Sequence, residues 1–467
     1  MQRRAFLKLT VGGTLALASR GWAKAANPAK RPNVLILMTD QQFADGMSCV
    51  MGKTYLHTPN MDSLAANGMR FTRAYAPNPL CMPMRTSMIT GLYPHQTGVQ
   101  SNGAQKWKSS PSPFLGKLFK DAGYETAYFG KWHIPLNMKK KSIHGFDTFL
   151  EKEARLDPKH AAKFLAKKHT KPFLMVASFL GPHEICEWAR KQEIPGHQLP
   201  GPPPLDKRPP MRENYAIPKN ETDIIAYARK SMQANSKFPV GNYTEADWRR
   251  HIWGYLRLIE RVDGYIGTVL KALRKAGLER NTLVLFLSDH GDCHGAHHWN
   301  QKTVFYDESA RVPFILSWMG VTPKGTSDSL INTGVDVIPT LCNFAGINPP
   351  KALLGMSLKS AAMGKPLKQP REYVVSQNHI FQGDPVDRKH LKPQGRMVRS
   401  KRYKYCLYDM GTRRESLVDM AKDPGELVNL ANDPKHAKTR QQHRDYLAQF
   451  AKETKDTLAA KMLKAVN

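Results

Sequence analysis

The feature that most constrains this chain is a set of apolar runs of strand length, each stopping at a polar cluster. Asn33–Thr39 runs into Asp40-Gln41, and Glu125–Phe129 runs into Gly130-Lys131-Trp132-His133. Residues 172–179 lead to Gly181-Pro182-His183, and Asn281–Ser288 leads to Asp289-His290-Gly291. Val312–Ser317 is a further run. An unbroken apolar strand has both faces buried, as in the centre of a parallel sheet. Helical patterns lie between these runs: 58–67, 113–122, 335–344 and the long stretch 245–276. In the last, Ile252, Tyr255, Ile259, Val262, Ile266, Val269 and Leu273 form one stripe before Gly277. The alternation predicts an α/β fold with a mostly parallel central sheet sandwiched by helices. Ligands bind beyond the carboxyl ends of such strands, where the polar clusters fall.

A Pro-, Gly- and Lys-rich stretch near 350–370 predicts a boundary, leaving a main domain over 26–365. Beyond it, Tyr373–Gln377, Arg396–Ser400, Tyr403–Tyr408 and Ser416–Asp419 read as short antiparallel strands, followed by one helix over about 434–464. This is a smaller C-terminal α+β subdomain over 366–467. Residues 192–239 read as an irregular surface insertion.

Residues 1–25 read as an export signal: Arg3-Arg4-Ala5-Phe6-Leu7-Lys8, a modest apolar run Leu9–Ala18, then Ala23-Lys24-Ala25. The paired arginines resemble a twin-arginine signal, which implies the twin-arginine export machinery as a partner and a periplasmic or secreted protein. No segment reaches the roughly 20 apolar residues of a membrane span, so stable membrane insertion is not expected. Lys and Arg outnumber Asp and Glu by 70 to 39, a formal charge of +31 that concentrates anions at the surface. No nucleic-acid motif accompanies the charge, and in an exported protein a polyanionic polysaccharide fits better than nucleic acid. Six cysteines show no Cys-x-x-Cys spacing, which argues against a zinc site or a disulfide framework; a single disulfide stays open.

Cys81-Met82-Pro83-Met84-Arg85 through Thr90-Gly91 reads as a loop feeding a short helix, with Cys81 at its start. Pro83 suits a first turn, and unpaired N–H groups there favour an anion. Arg85, one turn along, adds a fixed cation. Together with the strand-end clusters, the chain holds a nucleophile position, hard oxygen ligands, lysines and imidazoles.

The pattern Cys-x-Pro-x-Arg ending in Thr-Gly resembles the signature of type I sulfatases, of the alkaline phosphatase-like superfamily. Asp40, Gly130-Lys131-Trp132-His133, Gly181-Pro182-His183 and Ser288-Asp289-His290-Gly291 follow in the family's order, and Asn300-Gln301-Lys302 resembles its second active-site lysine. Asp423-Pro424-Gly425-Glu426 and Asn429-Leu430 resemble its small-domain ending. The resemblance implies that Cys81 is oxidised to formylglycine, by a formylglycine-generating or an anaerobic sulfatase-maturing enzyme, and acts as a hydrate. It implies a divalent cation, usually Ca2+, held by Asp40, Gln41, Asp289, His290 and the hydrate at position 81. Asp289 is then placed to take the hydrate's proton, and His183 and Lys302 to serve the leaving oxygen. His133 takes the proton of the second hydroxyl as sulfate is expelled, while Arg85 and Lys131 hold the charged groups.

Gln41 stands where the family commonly has a second aspartate, and His290 where many members have asparagine. An Asp-Gln/Asp-His set also resembles relatives that cleave phosphonate monoesters and phosphodiesters, where Mn2+ can serve. Two further readings therefore stay open: a phosphonate or phosphodiester hydrolase, and an inactive polyanion-binding protein. His95 and Gln96 read as supports of the pocket, and Cys293 as packing. The adjacent His297 and His298 cannot both face one site. Trp188, Arg190, Asn378 and His379 are candidates for substrate specificity.

Overall fold

A computed structural model describes residues 31–103, 107, 113–150, 156–194, 198–233, 240–380 and 383–466. The export signal expected at 1–25 lies outside the described residues. Eight strands form the main sheet: β1 Asn33–Asp40, β2 Gly68–Tyr75, β3 Glu125–Gly130, β4 Thr148–Leu150, β5 Phe173–Pro182, β6 Thr282–Ser288, β7 Phe314–Ser317 and β8 Gly325–Asn332. Their order is β4-β3-β5-β1-β6-β7-β2-β8. Only β7 runs antiparallel to its neighbours, so the fold is the mostly parallel α/β sheet that the strand–helix alternation predicts.

Strand β1 shows why the apolar runs are unbroken. Val34, Ile36 and Met38 enter the core on one face, and Leu35 and Leu37 enter the core on the other. The first core is closed by the helices Cys81–Thr90 and Val337–Ala345, the second by the long helix Glu245–Lys275. Thr244 starts the long helix with a capping box to Asp247, and its expected stripe is buried throughout.

Register converts this packing into a site. Thr39 of β1 pairs with Ser288 of β6, so the next residues, Asp40 and Asp289, emerge side by side. Gly130 and Met38 both pair with Ser178 of β5, which brings Lys131 to the same edge. Gly130 has φ +94, and a Cβ there would lie 2.0 Å from the Ser178 carbonyl oxygen, so only glycine passes this corner.

A second, antiparallel sheet has the order β12-β11-β10-β9, from β9 Tyr373–His379, β10 Gln394–Ser400, β11 Tyr403–Tyr408 and β12 Glu415–Asp419. The single terminal helix expected over 434–464 is instead two, Ala437–Thr454 and Thr457–Lys464. Lys455 takes a left-handed φ of 60 between them, and Asp456 caps the second while gripping Arg396. The insertion expected to be irregular contains the helix Asp223–Gln233, which buries Ile224, Ile225, Ala228 and Met232. Among the described residues, no helix is long and apolar enough to cross a membrane.

Candidate active site

Cys81 is the first residue of a ten-residue helix, all of it buried, that ends at Gly91 in the left-handed conformation. Its Sγ lies 3.1 Å from His290 Nε2, 3.4 Å from Lys302 Nζ and 3.9 Å from Asp40 Oδ1. His133 and His183 also stand beside the thiol, His133 favouring its ionised form. Burial works against ionisation, but Lys131, Lys302 and His290 outweigh it and hold the thiol well below its ordinary range.

Arg85 ties the site together. Its Nη2 donates to Asp40 Oδ2 at 2.9 Å and its Nε to Asp289 Oδ2 at 2.8 Å. Its Nη1 donates to the Lys131 carbonyl and to Ser178 Oγ, each at 2.8 Å. All three side chains of the Asp40–Arg85–Asp289 bridge have zero exposure, where the fixed guanidinium fork matches carboxylate geometry. Lys131 Nζ adds a 2.5 Å contact to Asp40 Oδ2. Burial and Cys81 push the Asp40 carboxyl up, but Lys131, His183 and Arg85 prevail and hold it far below the usual range. Asp289 goes the other way: burial and the neighbouring Asp40 raise it despite His290 and Arg85. Two adjacent carboxylates thus have separated proton affinities, the pattern of distinct acid–base roles.

The donor set suits a divalent cation. One ligand atom each from Asp40, Cys81, Asp289 and His290 lie within 4.8 Å of one another. His290 Nδ1 pairs with the Gly291 carbonyl at 2.9 Å, which leaves Nε2 facing the group. Gln41 stands beside it in a left-handed conformation, φ 69, its Oε1 accepting from Lys302 Nζ at 2.7 Å. His133 is also left-handed, φ 47, with one ring nitrogen unpartnered. His183 is lowered to about 4 by burial and by Lys302 and Lys131, so its ring is neutral near pH 7. The structure therefore gathers Asp40, Gln41, Cys81, Arg85, Lys131, His133, His183, Asp289, His290 and Lys302 at one strand edge.

The other candidates lie elsewhere. His95 pairs with Gln377 and with the Thr454 carbonyl, and Gln96 accepts from the Tyr93 N–H. Trp188 is buried under Arg250, 3.8 Å from the ring centre, and Arg190 contacts Glu187 and Gln192. Asn378 donates to the Thr303 carbonyl at 2.8 Å, next to Lys302, and His379 is half-buried near Asp409. His297 stacks on Tyr306 at 3.6 Å and His298 sits against Tyr215. All six cysteines are unpaired, Cys293 within a hydrophobic cluster. Sequence reading overlooked Ser178 and Asp292, which hold Arg85 and Gln41, and named Gln301 without the role it has here, donating to Cys186.

A buried thiol, paired acids and fixed cations over the carboxyl edge of an α/β sheet make a site suited to an anionic group. A family model described as Sulfatase matches residues 32–347, and one described as N-sulphoglucosamine sulphohydrolase, C-terminal, matches 295–453. The chain belongs to the sulfatase family, and it is a sulfatase. It is 32% identical to the Delta 4,5-hexuronate-2-O-sulfatase of Bacteroides thetaiotaomicron over 92% of this chain and 91% of that one. A solved 2-O GAG sulfatase aligns with TM-score 0.79 at 30% identity, covering 91% of this chain and 93% of the other. The phosphonate monoester hydrolase of Agrobacterium radiobacter shares the fold, with TM-score 0.72 at 22% identity over 91% of this chain and 96% of that one.

Proposed function

We propose that the protein removes sulfate from a sulfated carbohydrate, with a 2-O-sulfated uronate as the first substrate to test. The observation that carries the chemistry is the convergence of His290, Lys302, Asp40, His133 and His183 on Cys81 at a helix start. The substrate class is supported by the hexuronate-2-O-sulfatase relative and by a formal charge of +31, which draws polyanions.

Asp40, Asp289 and His290 would hold the cation together with position 81, with the Gln41 oxygen beside them; Ca2+ suits the hard oxygens, and Mn2+ the His and amide share. When present, the cation and a formylglycine hydrate supply a Lewis acid and a nucleophile that can be regenerated. Arg85 keeps both carboxylates oriented, and Lys131 and Lys302 receive the sulfate charge. Asp289, raised by burial and by Asp40, is the carboxylate suited to take a proton. His183 is held neutral by burial and by the two lysines; a bound anion offsets those cations and restores its capacity to carry a proton to the leaving oxygen. His133, with a free ring nitrogen, is placed for the proton transfer that releases sulfate.

The paired arginines Arg3 and Arg4 support export by the twin-arginine route to the periplasm or beyond, after Cys81 is matured inside the cell. The test has two parts. Mass spectrometry of the Cys81 peptide from the native host is expected to find the aldehyde or its hydrate. Sulfate release is expected from unsaturated 2-O-sulfated disaccharides in preference to aryl sulfates and phosphonate monoesters. Turnover of aryl sulfates alone would remove the carbohydrate, faster phosphonate cleavage would reassign the reaction, and an intact thiol with no turnover would leave a polyanion-binding protein.

A further inference from the structure

One buried acid at the site has no part in the chemistry above. Asp292 lies three residues beyond Asp289 and has zero exposure. Its Oδ2 accepts from Gln41 Nε2 at 2.6 Å, and its Oδ1 accepts from the His294 N–H at 2.7 Å. On the other side of the same amide, Gln41 Oε1 accepts from Lys302 Nζ at 2.7 Å. These partners fix which end of the amide is oxygen, because an ammonium only donates and a carboxylate only accepts. The backbone of Gln41 is pinned as well. Its N–H donates to Asp289 Oδ1 at 3.1 Å and its carbonyl accepts from Tyr255 Oη at 2.5 Å. That holds a left-handed conformation that glutamine seldom occupies, φ 69.

Charge points the same way. Of the three buried cations Arg85, Lys131 and Lys302, the first two contact the carboxylates of Asp40 and Asp289, while Lys302 meets only the Gln41 oxygen and the Cys81 thiol. Asp292 is a third carboxylate, joined to Lys302 through the Gln41 amide. We infer that Asp292 is a positioning residue: it turns the Gln41 oxygen toward Lys302 and the Cys81 donor group, and sets a buried negative charge behind a glutamine that carries none. The cation part of this inference rests on the proposed function; the orientation part does not.

The test is a charge-exchange cycle with Q41E, D292N and the double variant, each isosteric with the native side chain. It is read by Tm without added cation and by calorimetric Ca2+ affinity. Q41E alone sets two carboxylates against each other and is expected to lose several degrees of Tm. D292N frees the amide to turn and is expected to weaken Ca2+ binding by about 10-fold or more, as outer partners of metal ligands do. The double variant exchanges donor and acceptor, the new amide at position 292 donating to the new carboxylate at position 41. It is expected to regain most of the lost Tm and affinity. Additive losses in the double variant would overturn the inference, as would D292N that binds Ca2+ as tightly as the native protein. Should D292N fail to fold, the double variant decides against Q41E: greater stability supports the inference and equal or lower stability overturns it. Tm rescue in a protein that binds no Ca2+ even in its native form would leave Asp292 positioning Gln41 and remove the cation from the proposed function.

Discussion

Two clusters of buried charge invite comparison, one around Cys81 and one around Lys404. The Lys404 ammonium uses all three of its donors: Asp307 Oδ1 at 2.5 Å, Glu426 Oε1 at 2.6 Å and the Phe305 carbonyl at 2.9 Å. Asp307 in turn takes Arg311 Nε at 3.0 Å and the Tyr75 hydroxyl, so the cluster locks the second sheet onto the first. Around Cys81, Lys302 pairs with no carboxylate among the described residues, only with Gln41 Oε1 and the thiol. His133 keeps a free ring nitrogen there. A cluster whose charges are all paired serves the fold; one that leaves a lysine without a carboxylate and a buried imidazole nitrogen without a partner is the pattern of a functional site.

The largest effect that separates the two is expected at Arg85, which belongs to both kinds of work. Arg85→Met leaves Asp40 and Asp289 side by side without their shared guanidinium. Breaking such a buried pair costs about 3–5 kcal/mol, so urea unfolding should shift strongly. Sulfate release by the folded fraction should fall at least about 10²–10³-fold, as when an electrostatic anchor is lost. An active, stable variant would show that the bridge does neither job.

Lys302→Met should split the readouts. The change strands the Gln41 oxygen but no carboxylate in direct contact, so it should cost only about 1–3 kcal/mol of stability, while kcat/KM falls about 10²–10⁴-fold, the range of a lost proton donor or charge partner. Lys404→Met should split them the opposite way. It strands Asp307 and Glu426 and is expected to cost about 3–5 kcal/mol, with the activity per folded molecule unchanged. If Lys404→Met instead lowered activity at constant stability, the contrast between the clusters would collapse.

The same contrast explains what could be read from the chain. Four parts of the Cys81 site were legible from a strong local signal, since Asp40, Lys131, His183 and Asp289 each follow an apolar strand, whereas Lys302 was marked only by the family resemblance. The Lys404 cluster has no such signal, since Lys404 meets Asp307 across 97 positions and Glu426 across 22. Two strands away from the centre of the sheet were lost for a related reason. Strand β8, Gly325–Asn332, is polar and alternately exposed, and β2, Gly68–Tyr75, carries two arginines. Neither resembles the buried runs that gave the centre of the sheet away. Asp292 had only its three-residue spacing from Asp289 to mark it, and the partner that gives it meaning, Gln41, lies 251 positions away.

The smallest effect is expected behind the site, at His251 on the long helix. Its ring is fully buried and neither nitrogen has a partner. Burial lowers its pKa from 6.5 to about 4, against the pull of Asp292 and with the push of Arg250. Above pH 6.5 the ring is neutral whether the chain is folded or not, and its titration costs nothing. Below that value the unfolded chain takes up a proton that the folded ring refuses until about pH 4, so stability falls across this window. The full loss is on the order of 3 kcal/mol, with a slope of about 1.4 kcal/mol per pH unit for one proton. His251→Phe keeps an aromatic ring among Trp248 and Tyr243 and removes the titration. Urea unfolding at pH 7.5 and pH 5 should therefore show a shallower decline for the variant, short of a flat one because His183 and His294 are also lowered to about 4. Identical declines would mean that the buried ring finds a proton partner in the folded state, and that the region behind Asp292 is as complete as the Lys404 cluster.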